Sequence, residues 1–354
     1  MNFEVDRHDL RRTRMNPVGS VPLDDGEIRL VVDSFALTSN NITYAALGDA
    51  MQYWNFFPAA DEGWGRIPVW GFASVAESRS ADVRPGTRVY GFMPMSTLFV
   101  VAPGHVDDHG LTDLARHRQP MASTYNRYAF VSENSLHLPG REEHHMLLWP
   151  LFFTSYLIDD VLADANGFGA EAVVISSASS KTAVIAAHLL HARGEKVIGL
   201  TSLGNREFVE SLGCYSSVIT YDNLDALPTV PAVYVDIAGD HSVTTAVHNH
   251  YGDDLKHSMI VGNTHWDKAS PQLASLTGPE RTFFFAPTQI AKRATEWGSA
   301  ELDQRVSASW ERFCAWASKW VEFQYVVGHQ AVDSVYRELL DGRSNPRVGY
   351  ICSL

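Results

Sequence analysis

Residues 170–206 read A-E-A-V-V-I-S-S-A-S-S-K-T-A-V-I-A-A-H-L-L-H-A-R-G-E-K-V-I-G-L-T-S-L-G-N-R. The run Ala172 to Ile175 is short, apolar and rich in β-branched residues, and it stops at a cluster of serines, as a buried strand and its turn would. From Thr182 the apolar positions Val184, Ile185, Leu189 and Leu190 fall at helical spacing. Gly194 closes that segment, and Lys196 to Leu200 is strand-like again. The predicted unit is strand, turn, helix, strand. Parallel strands joined by a crossover helix bind a dinucleotide where the first turn meets the helix N-terminus, because free backbone N–H groups and the helix dipole both favour a pyrophosphate there.

The turn departs from the glycine fingerprint G-x-G-x-x-G, which needs glycine for a tight bend and for close backbone approach. It runs Ser176, Ser177, Ala178, Ser179, Ser180, Lys181, Thr182. All but the lysine are small, so a phosphate could still come close, with hydroxyls and the Lys181 ammonium supplementing the backbone donors. The Lys-Thr pair is also found in P-loops, but both P-loop glycines are absent. The other reading of the same residues is a plain strand-to-helix turn capped by Ser179 or Ser180, with a solvated lysine.

The chain of 354 residues is long enough for a large core and about two domains. Hydrophobic residues make up 45% and charged residues 19%, the balance of a globular protein and not of a disordered one. A net charge of -13 argues against nucleic-acid and anionic-membrane partners, which need basic surface. Cys214, Cys314 and Cys352 lie far apart, without the spacing of a disulfide framework or a structural zinc site, as expected in a reducing compartment. The first residues, M-N-F-E-V-D-R-H-D-L-R-R, lack the apolar core of a signal peptide. The most apolar segment, Met146 to Ile158, is broken by Pro150, Thr154 and Ser155 and reads as a core helix. We expect a cytoplasmic protein that acts on a small molecule.

Residues 1–145 read as β-rich, with strands over Glu27–Leu37, Ile67–Val75, Arg88–Phe92, Leu98–Val101 and Asn126–Val131 separated by Gly, Pro, Asp or Ser. Short strands at this spacing suggest a barrel or sandwich. From His144 the period changes. A helix is predicted over Leu147–Leu162, and then strands and helices alternate to about residue 287, the pattern of a parallel sheet with helices on both faces. A long helical stretch, Thr288 to Trp320, precedes a strand over Val321–Val327, a helix over Ala331–Leu340 and a closing strand over Arg347–Cys352. This tail, 288–354, is expected to return to the first domain.

That order, with V-R-P-G-T-R-V-Y-G at 83–91, A-L-T-S-N-N-I-T-Y at 36–44 and P-L-F-F-T-S-Y at 150–156, resembles the medium-chain dehydrogenase/reductase superfamily, and in it the zinc-independent quinone oxidoreductase and enoyl reductase branch. It is also similar to an uncharacterised group, known as a domain of unknown function, that has serines in the phosphate turn. The resemblance covers nearly the whole chain. It implies an α/β protein with a GroES-like β-barrel substrate domain, 1–145 completed by 288–354, and a Rossmann domain with a doubly wound parallel sheet over 146–287.

The resemblance also implies roles. Zinc-dependent members place a cysteine where this chain has Thr38 to Asn41, and G-H-E where it has Trp70, Gly71 and Phe72, so no catalytic zinc is expected. The pairs His144-His145 and His248-x-His250 open and end helices and read as structural or solvated. The strand that ends at Leu200, Thr201 and Ser202 lacks the acid that would accept the ribose 2′-hydroxyl of NAD, and Arg206 stands nearby, which favours NADP(H). Tyr221 matches a tyrosine that attends the 2′-phosphate. The residue types themselves also allow Arg206 an ordinary place in a helix and Tyr221 an edge-strand one. Thr154 matches a threonine beside the nicotinamide, Val261, Gly262 and Asn263 match the backbone that holds it, and Arg343 lies near a tail arginine that can reach the cofactor. Ser177, Ser179, Ser180, Lys181, Thr182 and Ser202 complete the expected cofactor set.

Hydride transfer to an alkene or quinone needs a proton or an electrophilic hydrogen bond at the developing oxyanion, not necessarily a metal. Asn41, Tyr44 and Tyr53 are the candidates, Tyr44 to donate and Asn41 to orient, although Trp54, Phe56 and Phe57 close by make packing an equal alternative for the tyrosine. Tyr125, Asn126 and Arg127 form a second set that could line the substrate site, with structural use as the other reading. The expected activity is an NADP(H)-dependent, zinc-independent reductase of a small activated alkene, quinone or carbonyl compound, acting as a homodimer. A lyase or hydrolase on the same fold, or a nucleotide-binding protein without turnover, are the other classes this sequence allows.

Overall fold

A computed structural model of the chain describes residues 1–19, 22–133, 140–261 and 276–354. It divides into two compact units, Met1–Leu147 with Glu322–Leu354, and Leu148–Val321. The tail therefore rejoins the first unit at Glu322. Residues 288–321, expected in the first domain, lie in the second unit.

The first unit opens with an antiparallel hairpin, β1 (Asn2–Asp6) and β2 (Thr13–Asn16), which was not expected although N-F-E-V-D alternates polar and apolar residues. Then follow β3 (Ile28–Leu37), the helix α1 (Ser39–Ala46), the two-residue β4 (Trp64–Gly65), β5 (Pro68–Ser78), β6 (Arg88–Pro94), β7 (Leu98–Val101), β8 (Pro103–Asp107), β9 (Gly110–Asp113) and β10 (Arg127–Phe130). The five predicted strands correspond to β3, β5, β6, β7 and β10, while β4, β8 and β9 were not expected. The C-terminal β17 (Glu322–Val327), α8 (His329–Leu340) and β18 (Val348–Ser353) complete this unit. Its nine-stranded sheet runs β17-β18-β3-β5-β6-β10-β9-β8, with β7 also paired to β3. The core behind it is aromatic, with Phe35, Phe56, Phe72, Phe92 and Tyr128 fully buried.

The helix α2 (Glu142–Asp164) carries the chain onward and is longer at both ends than its apolar stretch predicts. Among the described residues it is the one helix long and apolar enough to cross a membrane, and 56% of its most apolar stretch is buried in the structure. The second unit then builds β11 (Ala172–Ile175), α3 (Lys181–Ala192), β12 (Val197–Thr201), α4 (Arg206–Ser211), β13 (Ser217–Thr220), β14 (Ala232–Asp236), α5 (His241–Tyr251), β15 (Leu255–Ile260) and β16 (Arg281–Phe283). All six strands pair in parallel in the order β13-β12-β11-β14-β15-β16. A sheet covered on both faces has no polar side, and every residue of β11, β12 and β14 is accordingly buried. The predicted helix over 288–320 is two helices, α6 (Ala286–Glu296) and α7 (Ser299–Ala317), because Gly298 takes a left-handed φ of 84° that an α-helix cannot continue through.

Candidate functional site

The strand order places β11 at the centre of the second sheet, with β12 and β13 on one side and β14 to β16 on the other. In such sheets the crevice beyond the strand C-termini, where the order reverses, is where ligands bind. The serine turn follows β11 at that point, and Asp236 ends β14 beside it. Ser180 is the N-cap of α3, its hydroxyl accepting from the Ala183 N–H, while the N–H groups of Ser179 and Thr182 have no acceptor among the described residues. Two donors without a described acceptor thus lie at the N-terminus of α3, where the helix dipole also favours an anion.

Each remaining group of the turn is held by a neighbour. The Ser176 hydroxyl donates to Asp236 Oδ1 at 2.9 Å and accepts from the Ile237 and Ala238 N–H groups. The Ser177 N–H donates to the Tyr221 hydroxyl at 2.9 Å, Tyr215 donates to the Ala178 carbonyl, and the Asn205 amide donates to the Ser179 hydroxyl. The left-handed residue of the bend is Ser177, with a φ of 53° that glycine adopts at little cost and serine does not.

Lys181 opens α3. Instead of the solvated lysine that the plainer reading of this turn expected, it is half-buried, and burial pulls its ammonium down to about 8. A bound anion is the partner that would reverse such a shift. Arg206 opens α4 just past β12, half-exposed and 2.8 Å from Glu210 one turn on, so its charge stays near the surface. Ser202 is exposed at the end of β12. Tyr221 packs its ring against the core formed by Leu200, Ile219 and Leu227, and burial raises its phenol well above the ordinary value.

The other expected cofactor residues are placed as follows. The Thr154 hydroxyl donates to the Pro150 carbonyl of its own helix, and the Val261 N–H donates to the Asp236 carbonyl. Gly262 and Asn263 lie outside the described residues. Arg343 belongs to the first unit, where it is largely exposed and pairs with Asp341 at 2.8 Å.

Asp236 is the residue that sequence reasoning missed. Fully buried, it accepts from Ser176, Tyr234 and the Gly239 N–H on one oxygen, and from Thr244 and the Arg281 guanidinium, at 2.6 Å, on the other. An Asp closing an apolar run was visible; Arg281, 45 residues on, was not. His248, read as structural or solvated, is buried between the Thr277 carbonyl and the Ser258 hydroxyl.

In the first unit Tyr44 and Tyr53 meet with ring centroids 4.6 Å apart, and Tyr125 joins Tyr53 at 6.2 Å, with Phe56 and Phe92 around them. Burial pushes Tyr53 up to about 12 and Tyr44 higher still, which keeps both phenols protonated at neutral pH. Asn41 is used up structurally. Its carbonyl oxygen accepts from the Thr38 N–H in a capping box and its amide donates to the Pro68 carbonyl. The second set disperses: Asn126 binds the buried Arg118, Arg127 pairs with Asp107, and Tyr125 alone stays with the phenols. Among the described residues no group of three or more His, Cys, Asp or Glu side chains could hold a metal ion.

The second unit is thus a six-stranded parallel sheet with a crevice at its strand C-termini, and the first is built on a mostly antiparallel sheet. Residues 35–345 match the family DUF2855, described as a protein of unknown function, and the chain belongs to that family. No curated protein sequence matches it. Solved structures share the fold. CurA from Vibrio vulnificus in complex with NADPH is 12% identical with a TM-score of 0.62, covering 97% of this chain and 93% of that one. YhdH from Escherichia coli K-12 with bound NADPH is 16% identical with a TM-score of 0.58, covering 99% of each chain. The quinone oxidoreductase from Coxiella burnetii is 13% identical with a TM-score of 0.55, covering 100% and 98%. At these identities the likeness establishes the fold, a GroES-like domain with a Rossmann domain.

Proposed function

We propose that the protein is an NADP(H)-dependent, zinc-independent reductase of a small activated alkene, quinone or carbonyl compound. The observation that carries this reading is the serine turn, which brings the acceptor-less Ser179 and Thr182 N–H groups, the N-terminus of α3 and the desolvated Lys181 just past β11, where the strand order reverses. The residues fit a dinucleotide. Ser179 and Thr182 would hold the pyrophosphate, Lys181 would neutralise it, and Arg206 would pair with the 2′-phosphate in a place where an acid would select NAD. The cofactor, when bound, supplies a hydride. The chain's own part at the substrate is a protonated phenol, Tyr53 or Tyr44, offered to the oxyanion that develops on the substrate oxygen. The NADPH found in the CurA and YhdH structures is consistent with this assignment.

One observation favours a second reading. A serine held left-handed in the turn narrows the approach of a phosphate, and a nucleotide-binding protein without redox turnover, or a lyase or hydrolase on this fold, would keep the same residues. A fluorescence titration with NADPH, followed by its oxidation against a panel of enones, quinones and aldehydes, separates them. Binding with turnover is expected. Binding without turnover would favour the second reading, and no binding would overturn both assignments of the turn.

A further inference from the structure

We propose that Tyr221 is a positioning residue that locks Ser177 in the left-handed conformation, doing by a hydrogen bond and packing what a glycine does by having no Cβ. The inference rests on the turn being the dinucleotide site, and on three observations. Ser177 holds a φ of 53° at the bend that carries the chain from β11 to the donors of α3. For a non-glycine residue that region is disfavoured and persists when the surroundings over-determine it. The Ser177 N–H meets the Tyr221 hydroxyl at 2.9 Å. Tyr221 is itself fixed, because its N–H bonds the Thr201 carbonyl and its ring packs on the buried cluster under β12 and β13. A rigid phenol just past the end of β13, reaching across β12, therefore dictates where the Ser177 amide points, and with it the path of residues 178–182.

This assigns to Tyr221 a role in shaping the turn instead of, or before, any contact with the 2′-phosphate. It also explains how a turn without glycine keeps the geometry of one that has it. If the lock is real, the need for Tyr221 should vanish when residue 177 is glycine.

The test is a cycle of Tyr221→Phe, Ser177→Gly and the double variant, read by the thermal midpoint of the protein without ligand and by the dissociation constant for NADPH. Tyr221→Phe should lower the midpoint and weaken NADPH about tenfold, because the serine backbone, no longer held, leaves the left-handed region. Ser177→Gly/Tyr221→Phe should return to within about twofold of Ser177→Gly. Ser177→Ala/Tyr221→Phe should not recover, because alanine lacks the hydroxyl of serine but keeps its Cβ. Additive effects of Tyr221→Phe and Ser177→Gly, or equal recovery with alanine, would overturn the proposal. If Tyr221→Phe does not fold, the glycine double variant must restore folded protein, and its failure counts against the lock. Should the unaltered protein not bind NADPH, the cofactor reading fails by itself, while the midpoint cycle, which needs no ligand, still decides the lock.

Discussion

The Ser176 hydroxyl and the Asp236 carboxylate lie 2.9 Å apart and join the C-terminal ends of the two strands between which the sheet order reverses. Asp236 also neutralises Arg281 at 2.6 Å, wholly out of water on the carboxylate side. Removing one member of a buried ion pair leaves the other uncompensated, so Asp236→Ala should cost roughly 3–5 kcal/mol of stability in urea denaturation. A loss below about 1 kcal/mol with an unchanged denaturant slope would mean that the network is not needed to hold the sheet.

NADPH binding should take up a proton at alkaline pH. Burial holds Lys181 at about 8 in the ligand-free protein, below its ordinary 10.5, and a bound pyrophosphate would raise that value. Below about 8 the amine is protonated in both states and nothing changes. As pH rises above 8 the free protein loses a proton that the complex keeps, so affinity should fall between about pH 8 and 10. The same depressed value makes the ligand-free protein gain stability relative to its unfolded state over that range. Calorimetry at pH 8.5 in buffers of different ionisation enthalpy measures the uptake, and Lys181→Met should abolish it. Uptake that persists in Lys181→Met would assign it to another group.

The cofactor preference should depend on Arg206. NADPH should bind more tightly than NADH, and Arg206→Ala should reduce that ratio about tenfold, the worth of a charged hydrogen bond to a phosphate. Glu210 competes for the same guanidinium in an exposed pair worth at most about 1 kcal/mol, so Glu210→Gln should tighten NADPH by no more than about fivefold. Equal affinities for the two cofactors, or an unchanged ratio in Arg206→Ala, would exclude this role.

Asn41 and the tyrosines should separate by what they disturb. Asn41→Ala removes the capping-box bond to the Thr38 N–H and leaves the Pro68 carbonyl without its amide donor, a loss of roughly 2–4 kcal/mol visible in thermal unfolding. Tyr53→Phe keeps its ring contacts and should instead lower kcat by about 100-fold with KM little changed. The effect of Tyr44→Phe should be smaller, since Tyr44 is buried and Tyr53 is partly exposed. If both phenylalanine variants retain kcat within about threefold, the phenols serve packing and the proton comes from elsewhere.

On the proposed reading turnover should survive exhaustive chelation, because Thr38 to Asn41 and Trp70 to Phe72 include no cysteine or histidine. Stoichiometric zinc in the purified protein, with activity lost on its removal, would reverse that expectation.

The sequence by itself determined the layout. Apolar runs such as Ala172–Ile175 and Ala232–Asp236 can be buried only in a sheet covered on both faces, and their alternation with helical periods leaves little choice but a parallel sheet. Gly194 and Ser180 marked helix ends through local chemistry, which needs no tertiary partner. Which polar residues meet was decided only by the tertiary structure. Lys181 is half-buried because of what packs over it, Asn41 is consumed by Pro68 from a strand 27 residues away, and Ser177 keeps its unfavourable backbone under a phenol from 44 residues on. Such pairings leave no periodicity in the chain, because hydrogen bonds between distant residues depend on three-dimensional register and not on spacing along it.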